Sequence, residues 1–170
     1  MEIQGRRVTI YSTTESDFPN LIALWNDRHV MMWVGFPNGL GYNPEKIMDW
    51  YSKLQSNPDK HHLIVHTEGL GFCGEVYYDV DRIHGRAGLD IKFTPKAQGK
   101  GLATDALKTL IRFIFESEPG VVAVWTEPSK ENVAAQKLYN RCGLKPKSST
   151  LNKKQAFSYW ELRREEWISA

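Results

Sequence analysis

Six consecutive residues, Gln98-Gly99-Lys100-Gly101-Leu102-Ala103, stand where a strand-like run gives way to a helical one. Two glycines one residue apart let the backbone approach a ligand closely and turn its amides toward it, and a helix start favours negative charge. The chemistry this suggests is the grip of a pyrophosphate or similar anion, with Lys100 adding charge. A tight turn carrying a solvated lysine is the other reading of the same residues. Two familiar phosphate loops do not fit: the Walker pattern needs four residues between its first glycine and the Gly-Lys pair. The dinucleotide fingerprint needs a third small residue where Thr104 stands, and a place in the first strand-helix unit of a parallel sheet.

Other chemistry is less well supported. The five histidines (His29, His61, His62, His66, His84) lack the paired spacings that bring metal ligands together, so no metal site is expected. Cys73 and Cys142 are too few for a disulfide framework and have no base pattern beside them, which fits two buried thiols in a reducing compartment. The 22 basic and 20 acidic residues are mixed along the chain, giving a net charge of +2 and no broad basic face for nucleic acid. No apolar run could span a bilayer, and Met1 to Arg7 is too polar for a signal peptide core, so a cytoplasmic protein with no membrane partner is expected.

With 41% apolar and 12% aromatic residues, the 170-residue chain can bury a sizeable core as a single domain over residues 1–170. Arg6 to Ser12 alternates with a period of two, as a first strand does. Thr14 with Asp17 resembles a capping arrangement ahead of a helix whose face carries Phe18, Leu21, Ile22 and Trp25. Asn43-Pro44 opens a second helix with a stripe of Ile47, Trp50, Tyr51 and Leu54. His62 to His66, Phe72 to Val80 and Ala87 to Phe93 read as three strands of an antiparallel meander. A helix from Gly101 to Glu116 follows, then an apolar run, Val121 to Trp125, of the kind that forms a central strand. A helix from Asn132 to Cys142 buries Ala135, Leu138 and Tyr139, and closing strands begin at Leu144 and span Phe157 to Arg163. The expected fold class is α/β (α+β), one mixed domain without repeats or linkers.

Gln98-Gly99-Lys100-Gly101-Leu102-Ala103 is similar to the signature of the GNAT acetyltransferase superfamily: Gln or Arg, two residues, Gly, one residue, Gly or Ala. Asn132 to Tyr139 followed by Arg141-Cys142-Gly143-Leu144 resembles that family's second motif. The close likeness covers Ala87 to Lys145. Asp90-Ile91-Lys92-Phe93 and Tyr159-Trp160-Glu161-Leu162 also look similar to the group containing ribosomal-protein N-terminal acetyltransferases. The resemblance implies a bent, mostly antiparallel sheet with helices on both faces, split to admit coenzyme A. It also implies transfer of acetyl from acetyl-CoA, bound as co-substrate, to a primary amine by direct attack. A small-molecule amine or a protein N-terminal amine would be the acceptor, and a coenzyme A-binding regulatory domain without catalysis is the alternative.

The resemblance also distributes roles. The backbone of Ile91, Lys92 and Phe93 would hold the pantetheine and thioester, the amides of Gln98 through Ala103 the pyrophosphate, and Asn132 the pantetheine or only its own helix start. Tyr139 would protonate the leaving thiolate, a core tyrosine being the other reading. Many family members carry a glutamate where Ala87 or Gly88 stands here, so the base does not carry over. Glu75 and Asp90 are the candidate acids, Glu75 ahead of Asp90, either of which could be a salt-bridge partner instead. Trp33 through Tyr42 and the segment after Lys145 would recognise the acceptor.

Overall fold

The computed structural model describes residues 1–148 and 158–170. Among these residues eight strands, β1 (Glu2–Gln4), β2 (Thr9–Ser12), β3 (Lys60–Thr67), β4 (Gly71–Asp81), β5 (Arg86–Phe93), β6 (Ala123–Thr126), β7 (Lys145–Pro146) and β8 (Trp160–Arg163), form one sheet in the order β1-β2-β3-β4-β5-β6-β8-β7, antiparallel throughout except for β5 against β6. The meander is β3 (Lys60–Thr67), β4 (Gly71–Asp81) and β5 (Arg86–Phe93), each slightly longer than its sequence pattern predicts. Asp81 closes the β4–β5 turn by accepting hydrogen bonds from the amides of Ile83 and His84.

The first strand differs from expectation. Two short strands, β1 (Glu2–Gln4) and β2 (Thr9–Ser12), form a hairpin. Arg6, Arg7 and Val8 lie in the turn between them, because their amides donate to the carboxylate of Asp105 rather than to a neighbouring strand. At the other end, β7 (Lys145–Pro146) and β8 (Trp160–Arg163) close the sheet; the strand start placed at Phe157 lies outside the described residues.

Alternation along β5 sets up the two faces. Ala87, Leu89 and Phe93 are buried and Ile91 packs beside them, against α4 (Leu102–Ser117), whose Ala106, Leu107, Leu110, Ile111 and Ile114 fill the larger core. Burying each of those larger aliphatic side chains contributes about 1.5–3 kcal/mol. On the opposite face lie α1 (Phe18–Asn26), α2 (Arg28–Met31) and α3 (Pro44–Gln55), packed around Leu21, Trp25, Met31 and Ile47. Asn43 caps α3 by accepting from the Lys46 amide, and the Asp17 carboxylate accepts from the Thr14 amide ahead of α1, as their spacing suggests.

β6 (Ala123–Thr126) pairs with β5 only from Arg86↔Ala123 to Gly88↔Trp125. Past that point β4 continues beside β5 to Phe93, while β6 turns away toward α5 (Val133–Arg141). The sheet is thus split on one side of Leu89 to Phe93.

Candidate active site

The split opens a cleft of about 640 Å³. One wall is Asp90, Ile91, Lys92 and Phe93; the other is Thr126 to Ser129 with Asn132, Leu138 and Tyr139 from α5. The register of β4 against β5 decides which amides face it. Thr94 donates to the Cys73 carbonyl, so by antiparallel alternation the amides of Lys92 and Asp90 also point to β4, and those of Ile91 and Phe93 point into the split. Of the three backbone positions expected to hold a thioester, two therefore offer an amide. Lys92 lines the cleft with its side chain instead.

The glycine loop forms the cleft's far end. Gly99 and Gly101 take the left-handed conformation, with φ of 71° and 76°, which any residue with a Cβ adopts only at a cost. Gly101 precedes α4 with no side-chain cap, so the first-turn amides stay open for an anion. Not every residue of the motif contributes in the same way. The Gln98 amide is used within its own turn, on the Pro95 carbonyl, and its side chain donates to the Phe93 carbonyl at 2.9 Å, bracing the end of β5. Leu102 is buried in the core, and Lys100 does not line the cleft. The Arg7 guanidinium donates to the Lys100 carbonyl at 2.7 Å, a cation beside the loop that no local pattern announces.

Tyr139 is 4% exposed at the cleft wall. Burial, with the negative charge of Asp90 behind it, pushes its phenol well above the ordinary range, so the proton stays on at any working pH. A hydroxyl so placed donates a hydrogen bond to a nearby anion. Asn132 accepts from the Ala135 amide at 3.1 Å, capping α5, and lines the cleft as well.

A second chamber of about 320 Å³ adjoins the cleft and shares Val34, Asp90 and Lys92 with it. Its walls are aromatic. Trp25 meets Trp50 edge-on with ring centres 4.7 Å apart and Tyr42 likewise at 5.0 Å, and Phe36 and Tyr77 complete the enclosure. Phe36 and Tyr42 belong to the stretch expected to recognise an acceptor, whereas Trp33 lines the cleft. Of the part beyond Lys145, residues 149–157 lie outside the described residues, and none of the described ones lines either space. Trp25 and Trp50 read in sequence as core stripe residues, and His62 only as one of five unpaired histidines. All three line the chamber, and Trp25 Nε1 and His62 Nε2 turn to Glu75, which local periodicity does not reveal.

Glu75 lies in the chamber lining, 2% exposed. Its Oε2 accepts from Trp25 Nε1 and lies 2.8 Å from His62 Nε2, and its Oε1 lies 3.3 Å from Lys92 Nζ. Burial alone would raise its pKa, but His62 and Lys92 outweigh it and hold the carboxyl down at about 2. A carboxylate so fully engaged is a poor proton acceptor. Of the two candidate acids, Asp90 is the more exposed. Asp90, 41% exposed in its side chain, stands at the junction of cleft and chamber, with one oxygen on Lys92 Nζ and the other 2.9 Å from the Ile91 amide.

Comparison with known proteins agrees with this geometry. A family model described as acetyltransferase (GNAT) domain matches residues 7–145. An aminoglycoside N(6')-acetyltransferase type 1 of Klebsiella pneumoniae is 23% identical over 147 residues, covering 80% of this chain and 73% of its own. Among solved structures, the spermidine N-acetyltransferase of Vibrio cholerae in complex with CoA and spermine superposes with a TM-score of 0.83 at 18% identity, covering 95% of this chain and 98% of its own. An aminoglycoside acetyltransferase in complex with coenzyme A gives 0.78 at 21% identity, covering 96% and 98%. These names do not support the nearer likeness to ribosomal-protein N-terminal acetyltransferases.

Proposed function

The chain belongs to the acetyltransferase (GNAT) domain family and uses acetyl-CoA to acetylate an amine, and we propose that the amine is a small polycation of the polyamine or aminoglycoside kind. The observation that carries this reading is the junction of the two spaces. An aromatic chamber with buried Glu75 in its lining opens at Asp90 onto the cleft where a thioester would lie. Aromatic faces attract an ammonium by about 0.5–2 kcal/mol each, and a carboxylate at the junction adds its charge.

Acetyl-CoA supplies an activated acetyl group, and the residues here would arrange its transfer. The open amides at the start of α4 would hold the pyrophosphate, and Asn132 and the Phe93 side of the split the pantetheine arm. The Ile91 amide would donate to the carbonyl oxygen as negative charge develops on it, and the Phe93 amide, about 6.5 Å further along the strand, to the pantetheine arm. Tyr139 would give its proton to the departing sulfur. Its raised pKa makes complete early transfer unfavourable, so the proton would move as the carbon–sulfur bond breaks. The acceptor must arrive as, or become, a neutral amine. Asp90, directly or through water, would take up the proton.

The experiment is release of free thiol from acetyl-CoA with a panel of polyamines, aminoglycosides and peptides bearing free N-termini. Transfer to one of the first two classes is expected, with Tyr139→Phe slower by roughly ten- to a thousandfold, the span of one positioned proton donor. Transfer to peptide N-termini alone, or to nothing despite acetyl-CoA binding, would overturn the reading.

A further inference from the structure

The Ile91 amide, one of the two that face the split, is already engaged: it donates to Oδ1 of Asp90 at 2.9 Å. Asp90 lines both the cleft and the chamber, and its other oxygen is held by Lys92. A thioester carbonyl placed on Ile91 and the Asp90 carboxylate would need the same hydrogen. We propose that Asp90 and the acetyl carbonyl compete for the Ile91 amide, so that loading of acetyl-CoA, and not of free CoA, expels the Asp90 carboxylate toward the acceptor chamber. This rests on the placement of the thioester at Ile91 given above.

The physical argument is one of exclusion and charge. An amide N–H bonded to a carboxylate makes a charge-assisted bond, stronger than the one it makes to water or a neutral carbonyl. Free CoA ends in a thiol and lacks the thioester carbonyl, so it leaves that bond alone. Acetyl-CoA must break it. Asp90 then turns by rotation about its side-chain torsions, with Lys92 still beside it and the aromatic chamber on its other side. A carboxylate turned that way is a counter-ion for an incoming ammonium. The acceptor's charge partner is therefore completed only when an acetyl group is present to be transferred, which disfavours a dead-end complex of CoA and acceptor. Coupling of this kind is a two-position side chain whose balance the donor tips.

Calorimetric titration without acceptor tests the competition, reading the ratio of acetyl-CoA to CoA affinity. Removing the negative charge of Asp90 tightens both ligands alike through the general field of the cleft, and the ratio cancels that effect. In Asp90→Ala the ratio is expected to rise about 10- to 140-fold over wild type, the range of one hydrogen bond to a charged group. Asp90→Asn, whose neutral oxygen competes less, should give a smaller rise. In the wild-type protein, the Ile91 amide resonance should shift on adding acetyl-CoA and stay in place on adding CoA. An unchanged ratio in both variants, or an Ile91 resonance that answers equally to both ligands, overturns the proposal while leaving the cofactor site standing. Failure of the wild-type protein to bind either ligand overturns the cofactor reading and this inference with it.

Discussion

Glu75 is held charged by its neighbours, and that fixes how stability should depend on acidity. Its carboxyl sits at about 2 in the folded chain against an ordinary 4.5, so the stabilisation of its charged form contributes in full above about pH 4.5 and fades as pH falls toward 2. Glu75→Gln should destabilise the fold at neutral pH by about 1–3 kcal/mol, the usual result of weakening buried hydrogen bonds to a charged group, since Lys92 keeps Asp90. It should also flatten the loss of stability between pH 4.5 and 2. Urea titrations across that range check both; a variant as acid-sensitive as wild type would remove Glu75 from the account. At this scale the glycine pair, Asn132 and Tyr139 were legible because their spacing is carried by backbone geometry and one helical turn. Lys92 was not, since its neighbours on β5 alternate as any half-buried strand does, and only the pairing with Glu75 across β4 shows where its ammonium goes.

At the scale of elements, the start of α4 carries the cofactor argument. Its first turn is open because Gly101, at φ 76°, brings the loop around without a capping side chain. At a ligand concentration of 100 times Kd, acetyl-CoA should stabilise the wild type by about 2.7 kcal/mol, a rise in Tm of roughly 5–10 °C for a chain of this size. Gly101→Val puts a β-branched residue into the left-handed region and should remove most of that rise in thermal unfolding. An undiminished rise in a folded variant places the cofactor elsewhere. The meander and α3 through α5 were readable from local periodicity and caps. The β1–β2 hairpin was not, because it is three and four residues long and its turn is held by Asp105, some 97 to 99 positions further along.

At the scale of the whole molecule, the decisive feature is non-local. The split follows from β6 leaving β5 after Gly88↔Trp125, a parallel pairing across 37 positions that no local pattern encodes; only the family likeness anticipated it. The split gives the sheet a cleft on one side and, through Asp90, a passage to the aromatic chamber between the sheet and α1 to α3. The central claim is that donor and acceptor meet at this passage. A bisubstrate compound joining the sulfur of coenzyme A to a terminal nitrogen of spermidine through an acetyl bridge addresses it most directly, because linkage turns the second binding event into an intramolecular one. The geometry predicts binding about a hundredfold or more tighter than CoA, with most of the gain lost when Trp50→Ala opens the chamber wall. A compound that binds no tighter than CoA, or whose gain survives Trp50→Ala in full, would contradict the account.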